Sequence, residues 1–214
     1  RQKIENWKEQ NLISDDEYYF LITSLVESID KYANTASVYG AFLKKLKKTA
    51  QNNLILKPAE LIINDQEHKV FNEDINKVAG KIEGDILYLD PPYNQRQYAT
   101  NYHMLETIAK YDNPKIHGKT GLREYQNQKS LYCSRTQVKK AFKDLILKAK
   151  AKYIFLSYNN EGLMTLDDIQ EIMSLRGKYG NFTKEYNRFK ADKSENRNYT
   201  ASKTTEYLHY VVCE

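Results

Sequence analysis

The chain has 214 residues, of which 41% are hydrophobic and 29% charged, and its formal net charge is +5 at pH 7. This length allows one domain with a core of its own and a small appended subdomain. No apolar run approaches the roughly 20 residues needed to cross a bilayer, so we expect no membrane partner. The two cysteines follow no metal-ligand spacing, which favours reduced thiols and a cytoplasmic location.

Helical signals fill the N-terminal part of the chain. Residues 14–17, Ser-Asp-Asp-Glu, form a capping-box pattern, and apolar side chains follow at helical spacing, which predicts a helix over 15–31. A short helix is predicted before it, within residues 1–10. A further helix is predicted over 36–50, where the sequence mixes small residues, two aromatics and four lysines.

The middle of the chain alternates between strand and helix signals. Residues 68–82, HKVFNEDINKVAGKI, predict a short strand, a turn and a short helix. Residues 85–89 predict a strand with the near-continuous apolar character of a buried parallel sheet. A helix is predicted over 101–111, and a long polar loop follows over 112–133. Loops of that length are uncommon without a function.

The C-terminal part continues the alternation. A helix is predicted from Ser134 through residue 150, a buried strand over 152–160, and a helix after the cap at Thr165. The last two apolar segments read as a pair of closing strands. The whole pattern predicts an α/β fold. Ligands of open α/β sheets bind outside the carboxyl ends of the strands, where residues 90–93 and 157–160 are expected to lie.

Basic residues are concentrated in two segments. Residues 31–59 hold six lysines and no acid, and residues 114–143 hold eight basic residues and one acid. With 18 tyrosines in the chain, this distribution favours a nucleic-acid partner, because rings stack on bases while cations meet phosphates. A solvated lysine face is the alternative. The candidate contacts in these segments are Lys44, Lys45, Lys47, Lys48, Lys119, Arg123, Lys129 and Arg135.

The sequence Asp90-Pro91-Pro92-Tyr93 suits a reaction at an exocyclic amine of a planar base. The lone pair of such an amine is delocalised into the ring, so acceptors that pull on its protons make the nitrogen more reactive. The Asp90 carboxylate and the Pro91 carbonyl can act as acceptors, and two prolines hold the backbone rigid. Tyr93 offers a face for stacking, and a base in a duplex must be flipped out to reach it. The alternative is a turn that merely ends a strand.

The same motif after a hydrophobic strand resembles the catalytic motif of S-adenosylmethionine-dependent amino-methyltransferases, especially DNA adenine methylases. Longer segments extend the resemblance over nearly the whole chain. They are ANTASVYGAFLKKLKK, DILYLDPPYNQRQYATNYHMLETIAKYDNP, YIFLSYNNEG and the terminal EYL. Together they are similar to the Dam-related, adenine-specific methylases of type II restriction–modification systems, of the FokI-like kind.

This resemblance implies a Rossmann-like methyltransferase sheet with a helical target-recognition insertion. Residues 1–66 would be a helical region with DNA-recognition elements, and residues 67–214 a partial catalytic core. Asp90 and the Pro91 carbonyl would accept hydrogen bonds from the adenine amine, Pro92 completes the motif, and Tyr93 would stack on the flipped base. Asp74 matches the acidic position near the cofactor adenine, with a helix N-cap as the alternative, and Asp90 would also contact the cofactor. No metal is expected.

Arg96, Tyr98 and Tyr102 follow the motif closely and are candidates for contacts with the flanking phosphates or the orphaned base. For the two tyrosines ordinary packing is the alternative. The resemblance implies methylation of adenine in a specific site of double-stranded DNA, which would protect that DNA from a cognate restriction enzyme. A non-catalytic DNA-binding module and an RNA adenine methylase are the competing interpretations. The basic segment at 36–50 and the loop at 112–133 favour duplex DNA.

One family element is missing from these residues. Methylases of this class carry a Phe-x-Gly-x-Gly cofactor loop before the catalytic motif, whereas the first glycine here is Gly40 and none of the eight glycines lies in such a loop. We therefore expect the sheet to lack its first strand or strands. The missing segment was removed, was not observed, or is supplied by another chain, and the sequence leaves these alternatives open.

Overall fold

The computed structural model describes residues 1–35, 38–187 and 203–214. Backbone contacts divide the chain into two compact units. The helical unit comprises Arg1–Glu67 and Tyr98–Gln128, and the sheet unit comprises His68–Gln97 and Lys129–Glu214. In the described ranges, no helix combines the length and the apolarity that crossing a bilayer requires.

The elements alternate between helix and strand along most of the chain. The helices are α1 (Gln2–Glu9), α2 (Asp15–Tyr32), α3 (Ile75–Val78), α4 (Tyr98–Asn101), α5 (His103–Lys110), α6 (Val138–Lys148) and α7 (Leu166–Ser174). The strands are β1 (Glu83–Leu89), β2 (Ile116–His117), β3 (Leu122–Arg123), β4 (Lys150–Asn159), β5 (Gly177–Asn187) and β6 (Lys203–Cys213).

The helical unit is built around α2. The predicted capping box is present, because the Ser14 hydroxyl accepts from the Glu17 amide and the Glu17 carboxylate accepts from the Ser14 amide. Ile4, Ile22 and Leu25 form the buried centre of this unit, and Ile108 packs against them from α5. The helices predicted over 15–31 and within 1–10 are confirmed.

The helix predicted over 36–50 is wrong in its described part, residues 38–50. This segment runs through bends and ends in a 3-10 turn at Thr49–Gln51. The Asn34 side chain accepts from the Lys47 amide at 3.0 Å and donates to the Lys45 carbonyl. The Thr35 hydroxyl donates to the Val38 carbonyl at 2.7 Å. Side chains preceding the segment thus take the backbone groups that a helix would have paired.

The sheet unit contains a four-stranded mixed sheet of order β1-β4-β6-β5. β1 and β4 are parallel, and β6 runs antiparallel to both β4 and β5. Helices α6 and α7 cover one face, where Phe142, Ile146, Ile154, Leu156 and Val211 are fully buried. α7 begins at the predicted cap, because the Thr165 hydroxyl accepts from the Asp168 amide. The two closing strands are also confirmed.

Two expectations for the middle of the chain are corrected. No strand forms in residues 68–73, where Val70 is 94% exposed, although the short helix that follows is present as α3. β1 is a strand as predicted but is buried only in part, since Leu89 is buried whereas Ile86 is 64% and Tyr88 59% exposed. Side chains alternate between the two faces of a strand. Leu87 and Leu89 contact the core on one face, whereas Ile86 and Tyr88 lie on the other face, as does the exposed Tyr153 of β4.

The polar loop predicted over 112–133 is partly ordered into regular structure. β2 and β3 pair as a small antiparallel hairpin, with Gly118 and Gly121 at positive φ between them. Two 3-10 turns follow at Gln126–Gln128 and Leu131–Cys133. The division between the two compact units falls within this segment, after Gln128.

Candidate active site at the ends of the parallel strands

Asp90 lies directly after β1, at the carboxyl end of a parallel pair of strands. The register pairs Leu89 with Leu156, which brings the residue after β1 level with Ser157 on β4. Leu89 is buried, whereas Asp90 is exposed. The structure therefore places the two predicted strand ends, residues 90–93 and 157–160, at the same edge of the sheet.

Tyr93 is fixed by contacts at both ends of the residue. Its hydroxyl donates to Oδ1 of Asp90 at 3.0 Å and lies 2.8 Å from Oγ of Ser157. Its backbone carbonyl accepts from the Leu163 amide at 3.0 Å, and its ring packs against that of Tyr158 with centroids 4.9 Å apart. Burial raises the pKa of Tyr93 well above its ordinary value, so the hydroxyl keeps its proton and remains a donor.

The second oxygen of the Asp90 carboxylate, Oδ2, has no hydrogen-bond partner in the part of the chain that the structure describes. An ionised carboxylate accepts hydrogen bonds at both oxygens. One oxygen is therefore held by Tyr93, and the other, on an exposed residue, is available to an N–H donor. Pro91 and Pro92 are partly buried and fix the backbone between the two side chains.

The turn after β4 supports this arrangement. Tyr158 is buried, and its hydroxyl accepts from the amides of Leu163 and Met164 at 3.0 and 3.3 Å. Gly162 packs so close to this ring that a β-carbon on it would lie 2.1 Å from Cε1 of Tyr158. Sequence reasoning placed residues 157–160 at a strand end but assigned them no role. Their position after a parallel strand was the available signal.

Asp74 caps α3 through Oδ1, which accepts from the Asn76 amide at 2.9 Å. Asn76 in turn donates to the Asp144 carboxylate and to the Ala141 carbonyl, and it accepts from the Tyr132 hydroxyl. The helix-cap interpretation of Asp74 thus has a geometric basis. A contact with the cofactor adenine through the remaining oxygen stays a prediction.

The candidate nucleic-acid contacts are distributed over both units. In the helical unit, Lys44, Lys45, Lys47, Lys48 and Lys119 are exposed, and Tyr98 is exposed with its ring edge-on to Tyr102. In the sheet unit, Arg96, Lys129 and Arg135 are exposed. Exposure leaves these side chains accessible to a polyanion, and their contact with DNA stays a prediction.

Arg123 differs from the other candidates because it is buried. Its guanidinium donates to both carboxylate oxygens of Asp112, at 3.1 and 2.5 Å. This pairing lowers the pKa of the Asp112 carboxyl. A guanidinium held in a bidentate pair is committed to another group, which favours a structural role for Arg123 over a phosphate contact.

The described residues contain no group of three or more His, Cys, Asp or Glu side chains that could hold a metal ion. What the edge of the sheet does offer is a free carboxylate oxygen, a rigid proline pair and an anchored aromatic ring. These groups can accept hydrogen bonds from an amine and stack on a flat ring, and their contact with a base stays a prediction.

Comparison with known proteins gives several matches. The sequence pattern of the D12 class N6 adenine-specific DNA methyltransferases matches residues 1–172. The chain is 55% identical to Type II methyltransferase M.NlaIII of Neisseria lactamica, over 98% of this chain and 62% of that protein. It is 41% identical to Type II methyltransferase M.FokI of Planomicrobium okeanokoites, over 99% of this chain and 32% of that protein.

A viral relative, Type II methyltransferase M.CviAII of Paramecium bursaria Chlorella virus 1, is 38% identical over 100% of this chain and 62% of its own length. The chain thus spans less than two thirds of the length of these relatives. No solved structure matches it. Since the family pattern covers residues 1–172, and with them both strand ends at the candidate site, this chain belongs to the D12 class of N6 adenine-specific DNA methyltransferases.

Proposed function

We propose that this chain is the catalytic and target-recognition part of a type II modification methylase. It would transfer a methyl group from S-adenosylmethionine to the exocyclic amine of adenine in a specific duplex DNA site, and so protect that DNA from a cognate restriction enzyme. The observation that carries the proposal is Asp90 at the end of a parallel strand, with one oxygen held by Tyr93 and the other free.

Each residue of the motif has a distinct part in this proposal. Oδ2 of Asp90 and the Pro91 carbonyl accept hydrogen bonds from the adenine amine, which increases the nucleophilicity of its nitrogen. Pro92 keeps the acceptors in place, and the Tyr93 ring stacks on the flipped base. When bound, S-adenosylmethionine supplies an already activated sulfonium methyl group. The chain therefore acts by orienting the amine and excluding water from it.

The residues present fit only one end of the cofactor. Asp74, with its second oxygen, and Asp90 are suited to the adenine and the methyl-bearing end. The 214 residues include no Phe-x-Gly-x-Gly loop for the methionine end. We propose that another segment or another chain supplies this loop together with a strand beside β1. Among the described strands β1 pairs only with β4, so its other edge can receive a strand. The exposed Ile86 and Tyr88 leave one face of β1 open to a covering segment, and parallel sheets are usually covered on both faces.

DNA recognition is assigned to the exposed basic residues of both units, with residues 1–66 as the main recognition region and 67–214 as the catalytic core. The proposal includes the candidate contacts whose side chains are exposed, which are Lys44, Lys45, Lys47, Lys48, Arg96, Tyr98, Lys119, Lys129 and Arg135. Arg123 is left out because it is buried in its pair with Asp112. A cytoplasmic location is part of the same proposal, supported by the two free cysteines.

The proposal is tested with Asp90→Ala in the longer methyltransferase that carries this chain. Methylation of DNA should fall by about a hundredfold or more, since a preorganised electrostatic contact is lost. Affinity for DNA should stay within about twofold, because Asp90 contacts the amine and not phosphates. Asp85→Ala is the control, since Asp85 lies on the same strand and its side chain makes an exposed ion pair with Lys152. Near wild-type turnover in Asp90→Ala would contradict the assignment.

One observation favours a second candidate for the chain taken by itself. Because the Phe-x-Gly-x-Gly loop is absent from these 214 residues, they would act alone as a DNA-binding module without catalysis. Calorimetric binding of S-adenosylmethionine by the isolated chain separates the two candidates.

A further inference from the structure

Ser157 lies near the end of β4, and its hydroxyl is the first link in a chain of hydrogen bonds that ends on Asp90. Oγ of Ser157 is 2.8 Å from the Tyr93 hydroxyl oxygen, which is 3.0 Å from Oδ1 of Asp90. A tyrosine hydroxyl has one proton, and Asp90 as a carboxylate can only accept. Tyr93 therefore donates to Asp90, and Ser157 must donate to Tyr93.

This chain of hydrogen bonds limits two rotations that are otherwise free. The terminal torsion of an aspartate is broad, and Asp90 is exposed, so packing alone does not fix its carboxylate. The hydroxyl proton of Tyr93 can also rotate about the bond between Cζ and the oxygen. With Ser157 donating from β4, the Tyr93 proton is directed to Oδ1. The carboxylate then adopts one orientation, with Oδ2 towards solvent.

The rest of Tyr93 is held independently of Ser157. Its carbonyl accepts from the Leu163 amide, and its ring packs on Tyr158. Removal of the Ser157 hydroxyl should therefore leave the tyrosine ring in place and change only the direction of its proton. This separates a role in orienting Asp90 from a role in packing.

We propose that Ser157 is a positioning residue for methyl transfer. By donating to the Tyr93 hydroxyl it aligns Tyr93 on Oδ1 of Asp90 and so presents Oδ2 to the adenine amine. The role rests on the proposed function of the motif, and it is exerted through Tyr93 without contact between Ser157 and the substrate.

The kinetic test uses the longer methyltransferase that carries this chain. Ser157→Ala should lower kcat about three- to tenfold, the range expected for loss of one hydrogen bond, while KM for DNA and for S-adenosylmethionine changes less than twofold. Ser157→Thr keeps a hydroxyl and should restore most of kcat. Ser174→Ala, at an exposed position at the end of α7, is the matched control and should have wild-type kinetics.

A double mutant tests whether Ser157 acts through Tyr93. Tyr93→Phe removes both hydrogen bonds, so adding Ser157→Ala to it should lower kcat no further. Additive losses would overturn the inference, as would wild-type kcat in Ser157→Ala. A structural defect alone would give neither the rescue by threonine nor this non-additivity.

A spectroscopic test does not depend on activity. With tyrosine labelled by ¹³C at Cζ, the Tyr93 resonance is identified as the one missing in Tyr93→Phe. Ser157→Ala should shift that resonance and Ser157→Thr should leave it near its wild-type position; an unmoved resonance in Ser157→Ala would overturn the hydrogen-bond chain. If Ser157→Ala shifts the resonance but the wild-type protein methylates no DNA, the proposed function is overturned, and the positioning role with it.

Discussion

His209 is a buried histidine that takes no part in the proposed chemistry. It is 1% exposed on β6, its Nδ1 lies 2.8 Å from the Tyr179 hydroxyl, and its ring stacks on that of Tyr207. Its Nε2 has no hydrogen-bond partner in the described ranges. Burial lowers the pKa of His209 from 6.5 to about 4. The folded protein therefore holds this ring neutral at pH values where an unfolded chain would protonate it.

This difference in pKa makes stability depend on pH. Between pH 6.5 and about 4 the unfolded state binds the extra proton, so the free energy of unfolding falls as the pH falls. From pH 7 to pH 5 the loss should be about 2 kcal/mol. Urea unfolding across that range should show it, and His209→Gln should remove most of it. His117→Gln, at an exposed position in the small hairpin, should keep the wild-type dependence.

If the two variants lose stability equally between pH 7 and pH 5, the neutral state of His209 is not the cause. The two variants are comparable because each removes one histidine. Of these two residues, His209 is buried in the sheet beside β5, whereas His117 is exposed.

The residues of the candidate site could be predicted only in part. Asp90, the prolines and Tyr93 were identifiable because the whole motif is contiguous and follows a strand. Ser157 and Leu163 were not, since their contacts with Tyr93 depend on the register between β1 and β4. Arg123 was assigned to DNA on its charge, and its pairing with Asp112 depends on the fold of a loop that no local pattern reveals.

At the scale of the element, the turn after β4 requires a glycine. A β-carbon at Gly162 would lie 2.1 Å from Cε1 of Tyr158, a ring that is buried and cannot move aside. Gly162→Ala should therefore lower the free energy of unfolding by about 1 to 3 kcal/mol, as overpacked sites do. Gly84→Ala on β1 is the control, because its nearest neighbour would be 4.0 Å away. Equal urea midpoints for the two variants would contradict this account of the turn.

The exposed lysines 44, 45, 47 and 48 lie on an irregular segment and not on the predicted helix. If they meet phosphates, replacing Lys44 and Lys45 with Gln should flatten the slope of log affinity against log salt by about two units. Fluorescence anisotropy with duplex DNA, using the longer methyltransferase, measures that slope. Lys150 and Lys178, also exposed, provide the matched pair. If the slope changes equally in the Lys44/Lys45 variant and in the Lys150/Lys178 variant, the segment is an ordinary solvated face.

Elements with local signals were predicted correctly. α2 and α7 begin at capping boxes, and α6 and β4 carry long apolar patterns, so nearby residues determine them. The helix predicted over 36–50 does not form in residues 38–50, because the Asn34 and Thr35 side chains bind backbone groups of this segment. The spacing of apolar residues gives no sign of such contacts. The strand predicted within residues 68–73 does not form, because no strand of the described structure lies beside Val70 and Phe71 to pair with them.

At the scale of the whole molecule, the missing loop should decide cofactor affinity. Each hydrogen bond to a charged group contributes about 1.5 to 3 kcal/mol, so losing several weakens binding by several powers of ten. The isolated 214-residue chain should therefore show no binding of S-adenosylmethionine by calorimetry at micromolar concentrations, and no methylation of DNA. A longer protein or a partner chain with the loop should restore both. Micromolar affinity in the isolated chain would show that the cofactor sits elsewhere.

The order of strands in the sheet has a consequence for biosynthesis. β6 is the last of the described strands to leave the ribosome, yet it lies between β4 and β5 and is hydrogen-bonded to both. Until it emerges, the two earlier strands have no partner in common, and the core lacks the fully buried Val211. Such non-local pairing is slow and exposes apolar strand edges meanwhile. The edges of β4 and β5 that pair with β6 should thus stay exposed until β6 has left the ribosome.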